Sequence, residues 1–213
     1  MIEAVRSVVD TLVAGGVVMI PIGICSVVAT AALLERLWAL QRSRIVPRGL
    51  VIEVIELIKQ ERFEDAVTLC RKEPSPISRV LEVALLARHL PRAEIKERVE
   101  EIGRREAAEL ERFVPILGTV ASISPLLGLL GTVGGMIQTF QVIQTDGAGN
   151  VGNLAGGISE ALITTFAGLL VGIPSLVANR FVLARVDALI IDLEEVALGV
   201  VNQLTEQPAE PES

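Results

Sequence analysis

Histidine occurs once, at His89, and cysteine twice, at Cys25 and Cys70. His89 has no second histidine or cysteine beside it, so a metal centre is not expected. Cys25 falls in a long uncharged run and Cys70 in a charged segment. They sit in different solvents and are not expected to form a disulfide. Cys25 reads as a small packing residue and Cys70 as a buried helix residue in a reducing compartment. No nucleophile–base pair, metal-ligand spacing or phosphate-binding glycine loop is present, which argues against an enzyme. No cofactor is expected.

Charge is also missing, from three long stretches: Thr11 to Leu34 (24 residues), Phe113 to Thr145 (33 residues) and Ala161 to Asn179 (19 residues). The chain is 51% hydrophobic, and these residues come in runs where a soluble domain would show short periodic patches. A helix of about 20 residues crosses a hydrocarbon core of about 30 Å. All three runs qualify. They must be helical, because lipid offers no partner for exposed backbone groups. A cleavable signal peptide does not fit the first run, which lacks a basic region before it and is too long.

What is present is an uneven distribution of charge. The net charge is −7, yet the segment from Glu35 to Arg112 holds 16 of the 19 Lys and Arg residues. Only Arg6 precedes the first run, none lies between Gln144 and Ser159, and Arg180 and Arg185 follow the third. The positive-inside rule then places the large loop and the C-terminus in the cytoplasm. Trp38 falls where an interfacial aromatic sits. The basic residues flank membrane lipid, and nucleic acid is not expected as a partner. The fold expected is an all-α membrane protein: a periplasmic leader at 1–10, transmembrane helices at 11–34, 113–143 and 158–180, a cytoplasmic helical domain at 35–112, a periplasmic turn at 144–157, and a cytoplasmic C-terminal helix with a frayed tail at 181–213.

Within the cytoplasmic segment, residues 49–60 place Leu50, Val54 and Leu57 on one helical face, and 63–72 repeat the pattern. Ser75 is placed to cap a helix that starts with Pro76 and runs to about His89. From Glu94 to Arg112 charges alternate at i,i+4 (Glu94–Arg98, Glu100–Arg104, Glu101–Arg105, Arg105–Glu109), with Ile95, Val99 and Ile102 as a narrow stripe. No turn chemistry before Phe113 is evident, so one continuous rod of about 78 Å is expected from Arg92 to Ile143. Asp146 to Asn150 reads as a tight turn.

The second and third runs carry polar faces. Ser124, Gly128, Thr132, Gly135 and Thr139 share one side, with Gly131 and Gly135 as a small-xxx-small pair. Glu160, Thr164, Gly168, Gly172, Ser175 and Asn179 share another, with Thr165 beside them and Gly168 and Gly172 as a second pair. Small residues allow close helix approach, and polar ones among them are interhelical glue or the lining of a wet path. Counting from a turn centred between Ala148 and Gly149, Thr132 and Thr165 meet at one depth near mid-membrane. Hydroxyls there can relay a proton through water or coordinate a desolvated cation. Glu160 lies nearer the far-side surface and should face a cavity. No acid lies at mid-membrane depth, so if ions are relayed by a titrating group there, another chain must supply it. A non-conducting scaffold for cytoplasmic partners would explain the rod and the small faces, but not the threonines with Glu160.

Residues 125–136 (PLLGLLGTVGGM), residues 157–169 (GISEALITTFAGL) with Gly172-Ile-Pro174 and Asn179, and in the first run Met19-Ile-Pro21, Ser26 and Glu35-Arg36-Leu37-Trp38 closely resemble the motifs of the ExbB/TolQ/MotA proton-channel family. The cytoplasmic stretch 75–80 (SPISRV) is also similar. Three spans fit the ExbB/TolQ branch better than MotA, which has four. The resemblance implies a homopentamer around two single-span ExbD/TolR-like partners, each bearing the missing intramembrane Asp, with a TonB/TolA-like transducer as a further partner. It also implies that Thr132 and Thr165 line the pore, that Glu160 is the third-span glutamate, and that Pro125 and Pro174 shape their helices.

Overall fold

The computed structural model describes residues 15–146 and 151–206. The leader at 1–10, the start of the expected first span at 11–14, residues 147–150 of the turn expected at 144–157, and the tail from 207 lie outside the described residues. The described chain is all helix: α1 Met19–Ala39, α2 Arg42–Ile45, α3 Arg48–Lys59, α4 Phe63–Lys72, α5 Pro76–Leu86, α6 Arg92–Glu111, α7 Val114–Asp146 and α8 Val151–Glu206. Three segments are long and apolar enough to cross a membrane, within α1, α7 and α8. The chain divides into two compact units, Met1–Glu35 with Phe113–Val182, and Arg36–Arg112 with Leu183–Ser213.

In the first unit the usual sorting of side chains is reversed. Large apolar groups point outward: Ile20, Ile24 and Val27 on α1, Leu126, Leu130 and Phe140 on α7, Leu162, Phe166 and Leu170 on α8. Many of the buried positions are small or hydroxylated (Ala29 and Ala32, Ser124 and Thr139, Ala161, Thr164 and Ser175), beside a few large apolar ones such as Ile22 and Leu117. Water would penalise that arrangement, since a large exposed apolar surface drives association. Lipid tails do not, because they are as apolar as leucine, and close van der Waals approach then decides which face turns inward.

The second unit is sorted as a soluble domain. Leu50, Val54 and Ile58 of α3 are buried, so the third apolar contact is Ile58 and not the expected Leu57. Val67 and Cys70 of α4, Ile77, Val80, Leu81 and Leu85 of α5, and Ile95, Val99 and Leu110 of α6 extend the core. On α8 the row Val186, Leu189, Leu193, Ala197 and Val200 is buried, at spacings of three and four that mark one face of a helix. Ser75 begins α5 as foreseen: its hydroxyl accepts from the Ser78 amide, Ser78 returns the bond, and Pro76 occupies the first turn. The helix stops at Leu86, short of His89.

Polar contacts tie these helices together. The Arg79 guanidinium grips Glu106 with two bonds, 2.6 and 2.5 Å, and the Glu106 side chain is nearly buried. Arg92 donates to Asn202 Oδ1 at 2.6 Å, and Arg42 pairs with Asp192 at 2.8 Å. The expected Glu101–Arg105 pair forms on α6, while Glu100 pairs with Lys96. Trp38 remains exposed and carries the Arg44 guanidinium 3.6 Å over its ring, a cation–π contact suited to an interfacial aromatic.

The continuous rod is not observed. α6 ends at Glu111, Arg112 turns extended (ψ 140) and Phe113 takes φ 62 before α7 resumes at Val114. The reason is Pro115, whose ring has no N–H for the Glu111 carbonyl and collides with it if the helix continues. Proline is tolerated in the first turn of a new helix, where its missing donor is not needed. Arg36 serves the interrupted end. Its guanidinium is buried and Nη1 donates to the carbonyls of Glu109 (3.4 Å) and Leu110 (3.2 Å). A cation there satisfies orphan carbonyls and opposes the negative end of the helix dipole.

Cys70 is buried in this unit, and desolvation pushes its thiol up to about 11. The thiolate is the reactive form, so at pH 8 the folded chain should resist alkylation at Cys70, and labelling should rise only as pH approaches that value. Iodoacetamide labelling followed by peptide mass spectrometry checks this. Rapid native modification at pH 8, at the rate of the denatured chain, would show that the site is open.

Candidate ion pathway

The site is the crossing of α7 and α8. Glycines bring the two backbones together at consecutive turns. A Cβ on Gly168 would lie 2.5 Å from the Ser124 carbonyl oxygen and 3.0 Å from the Gly128 Cα. One on Gly128 would lie 3.0 Å from the Thr165 Cα. Farther along, Gly135 sits on Gly157 and Ala161, and Gly131 sits under the Thr164 side chain. At the other end Gly172 receives the ring of Pro125, with the Ala121 carbonyl 3.3 Å from where a Cβ would stand. That carbonyl is the one Pro125 leaves without its helical donor, and the bare Cα of Gly172 lets α8 cover it. Pro125 therefore shapes the crossing. Pro174 is exposed, and lines a cleft of about 210 Å³ with Ser26, Ala29, Thr30 and Ser175.

This zipper sets the register. Thr165 faces Gly128, one turn along α7 from Thr132, while Gly168 meets Gly128 and Gly172 meets Pro125. The two hydroxyls do not bond one another. Thr165 Oγ1 donates across the crossing to the Gly128 carbonyl at 2.9 Å, and Thr132 Oγ1 donates within its own helix to Leu129 at 2.7 Å.

The remaining hydroxyls divide by burial. Ser124, Thr139, Thr164 and Ser175 are buried, whereas Thr132 and Thr165 are half-buried at the rim. Thr139 and Ser175 bond back to Gly135 and Val171. Ser124 Oγ has no hydrogen-bond partner among the described residues. Asn179 packs against Gly118, its amide nitrogen 3.5 Å from where a Cβ would stand. Glu160 is half-buried at the start of α8, against the Gly15–Gly16 bend that precedes α1. That contact was not foreseen. The glycine pair was its only sequence signal, and it reads equally well as ordinary small-residue packing. Gly128, Gly131, Gly135, Gly168 and Gly172 are thus occupied by contacts within one chain.

Gly168→Ala should lower the thermal midpoint of the purified protein in detergent, with a cost of about 1–3 kcal/mol for overpacking against backbone. Gly134→Ala should not, since nothing lies within 4 Å of its Cβ position. Equal midpoints for the two variants would mean that the crossing is not close-packed.

The family model for the MotA/TolQ/ExbB proton channel family matches residues 72–195. The putative biopolymer transport protein ExbB-like 1 of Synechocystis is 33% identical over 80% of this chain and 68% of its own length. The biopolymer transport protein exbB1 of Vibrio cholerae is 30% identical over 88% of this chain and 83% of its own. The Tol-Pal system protein TolQ of Haemophilus influenzae is 42% identical over 40% of this chain and 37% of its own. With three apolar helices long enough to span a bilayer, this chain is an integral membrane protein of the MotA/TolQ/ExbB proton channel family, in its ExbB/TolQ branch.

Proposed function

We propose that this chain is the channel subunit of an inner-membrane motor that couples proton flow to mechanical work on the cell envelope. In this reading five copies surround two single-span ExbD/TolR-like helices, and a TonB/TolA-like transducer carries the output. Residues 1–10 and 144–157 lie in the periplasm, and 35–112 and 181–213 in the cytoplasm. The observation that carries it is the placement of Thr132 and Thr165. They are half-buried beside a charge-free helix crossing, whereas Ser124, Thr139, Thr164 and Ser175 on its contact faces are buried, with Glu160 toward one end.

The mechanism follows from what hydroxyls can and cannot do. Thr132 and Thr165 donate to backbone carbonyls and keep lone pairs free, so each can accept from water or from a protonated carboxyl. They do not titrate at neutral pH. The proton is therefore carried by the partner's Asp, which becomes neutral on protonation and moves past the ring without a bare charge in lipid, a cost of several kcal/mol. The membrane potential supplies about 2.3 kcal/mol per charge per 100 mV, so one or two protons can drive a step. Glu160 stands at the mouth and gathers cations there.

Two experiments test this. Thr→Val keeps the shape and removes the hydroxyl. Thr132→Val and Thr165→Val should insert and assemble normally while losing energy-dependent output; Thr→Ser should retain part of it, and Glu160→Gln should weaken output less than the double valine change. Full activity of an assembled double valine variant would reduce the threonines to packing. Orientation is tested in spheroplasts, with Cys25 and Cys70 replaced by alanine: an impermeant maleimide should label Gly152→Cys and spare Lys96→Cys. The reverse pattern would invert the topology.

A further inference from the structure

The bend that leads into α1 rests on the turn of α8 that carries Glu160, through three contacts. Gly16 takes φ +68, and a methyl group on its Cα would overlap Glu160 Oε1. Thr164 Oγ1, 1% exposed, donates to the Gly15 carbonyl at 3.1 Å and to the Glu160 carbonyl at 2.7 Å. A Cβ on Gly15 would lie 3.3 Å from Ile163 Cγ2. Position 16 thus excludes a side chain twice, once by conformation and once by space. Gly23, two turns on in α1, has nothing within 4 Å of its Cβ position, so close packing along α1 does not by itself account for Gly16.

We propose that Gly16 is a positioning residue for Glu160, and that the Gly15–Gly16 bend is the seat that holds this carboxylate, with the Thr164 hydroxyl as its lock. The inference rests on Glu160 belonging to the ion path. A carboxylate at the end of a span needs polar surroundings. The Met19 and Ile20 amides at the start of α1 are taken by the Gly16 and Val17 carbonyls, so what this end of the helix offers a carboxylate is the positive end of its dipole. A bare Cα at position 16 leaves room for Glu160 Oε1 beside it. The single Thr164 hydroxyl proton is shared between the Gly15 and Glu160 carbonyls, so pulling the start of α1 away from the carboxylate's turn costs the buried arm of that bond. The first helix is then part of the ion path's mouth as well as a membrane anchor.

The test uses the whole complex with its single-span partner, reconstituted in vesicles, with two readouts. The first is the ¹³C carboxyl signal of Glu160 in solid-state NMR, assigned by its loss in Glu160→Gln. Gly16→Ala and Thr164→Val should each move it, and Gly23→Ala should leave it in place. The second is proton flux under an imposed potential. Gly16→Ala should fall to the level of Glu160→Gln, and the two changes together should fall no further. Thr164→Val keeps the side-chain shape and provides the same comparison if Gly16→Ala does not assemble. A signal that stays put in both variants overturns the seat whatever the flux, and so does a double variant whose losses multiply. A moved signal with native flux in Glu160→Gln leaves the seat standing and removes Glu160 from the ion path.

Discussion

Where Gly168 crosses Gly128, two helix backbones touch with no side chain between them. Every other feature of the membrane unit is arranged around that contact. It fixes the register of α7 against α8, which puts Thr165 on the Gly128 carbonyl and leaves Thr132 one turn away at the rim. It turns the small residues inward and so turns the leucines and phenylalanines outward to lipid. Hydrophobic burial cannot do this in a bilayer, where inside and outside are equally apolar, so shape decides. At this crossing even a methyl group on Gly168 would meet the Ser124 carbonyl and the Gly128 backbone.

How much of this was legible in the sequence depends on which force set each feature. Solvent preference leaves a long trace in composition, so the three apolar runs and the soluble segment between them could be read directly. Capping chemistry is local, and Ser75 with Pro76 announced the start of α5 four residues deep. The break after Glu111 depends on a single residue, Pro115, whose effect falls four positions upstream, inside a segment that otherwise reads as strong helix. The register depended on a comparison no periodicity contains, namely which glycine meets which. Counting from the turn gave the helices and faces, but not that Thr165 donates to the Gly128 carbonyl. Arg36 capping α6 and Glu160 resting on Gly16 join residues far apart in sequence, so local spacing offered nothing to find them with.

The distribution of charge has a consequence for mechanism. Between Phe113 and Thr145, and again between Ala161 and Asn179, the chain carries no ionisable group. An acid buried at that depth would have to be paired or neutral at rest, and five copies of it in a ring would repel one another when ionised. Hydroxyls avoid both problems. They offer hydrogen bonds at no charging cost and keep the same state as the proton passes. In the function proposed above, a moving carrier with the titratable group and a fixed ring without one would be a sound division of roles.

The coupling proposed above would need a rigid frame, since a step that merely deforms a channel transmits no work. The hydrogen bonds supply rigidity at places where packing cannot. Arg36 closes the end of α6, Arg79 and Glu106 join α5 to α6, and Thr164 joins the approach to α1 with the start of the third span. Each involves at least one buried partner, where a broken bond leaves a desolvated group unsatisfied at about 1–3 kcal/mol. Such joints resist small displacements far better than apolar contacts, which slide. Within the membrane unit the crossing at Gly168 sets where the helices lie and Thr164 ties in the approach to α1; within the other unit Arg36 and the Arg79–Glu106 pair hold the ends and faces of α5 and α6.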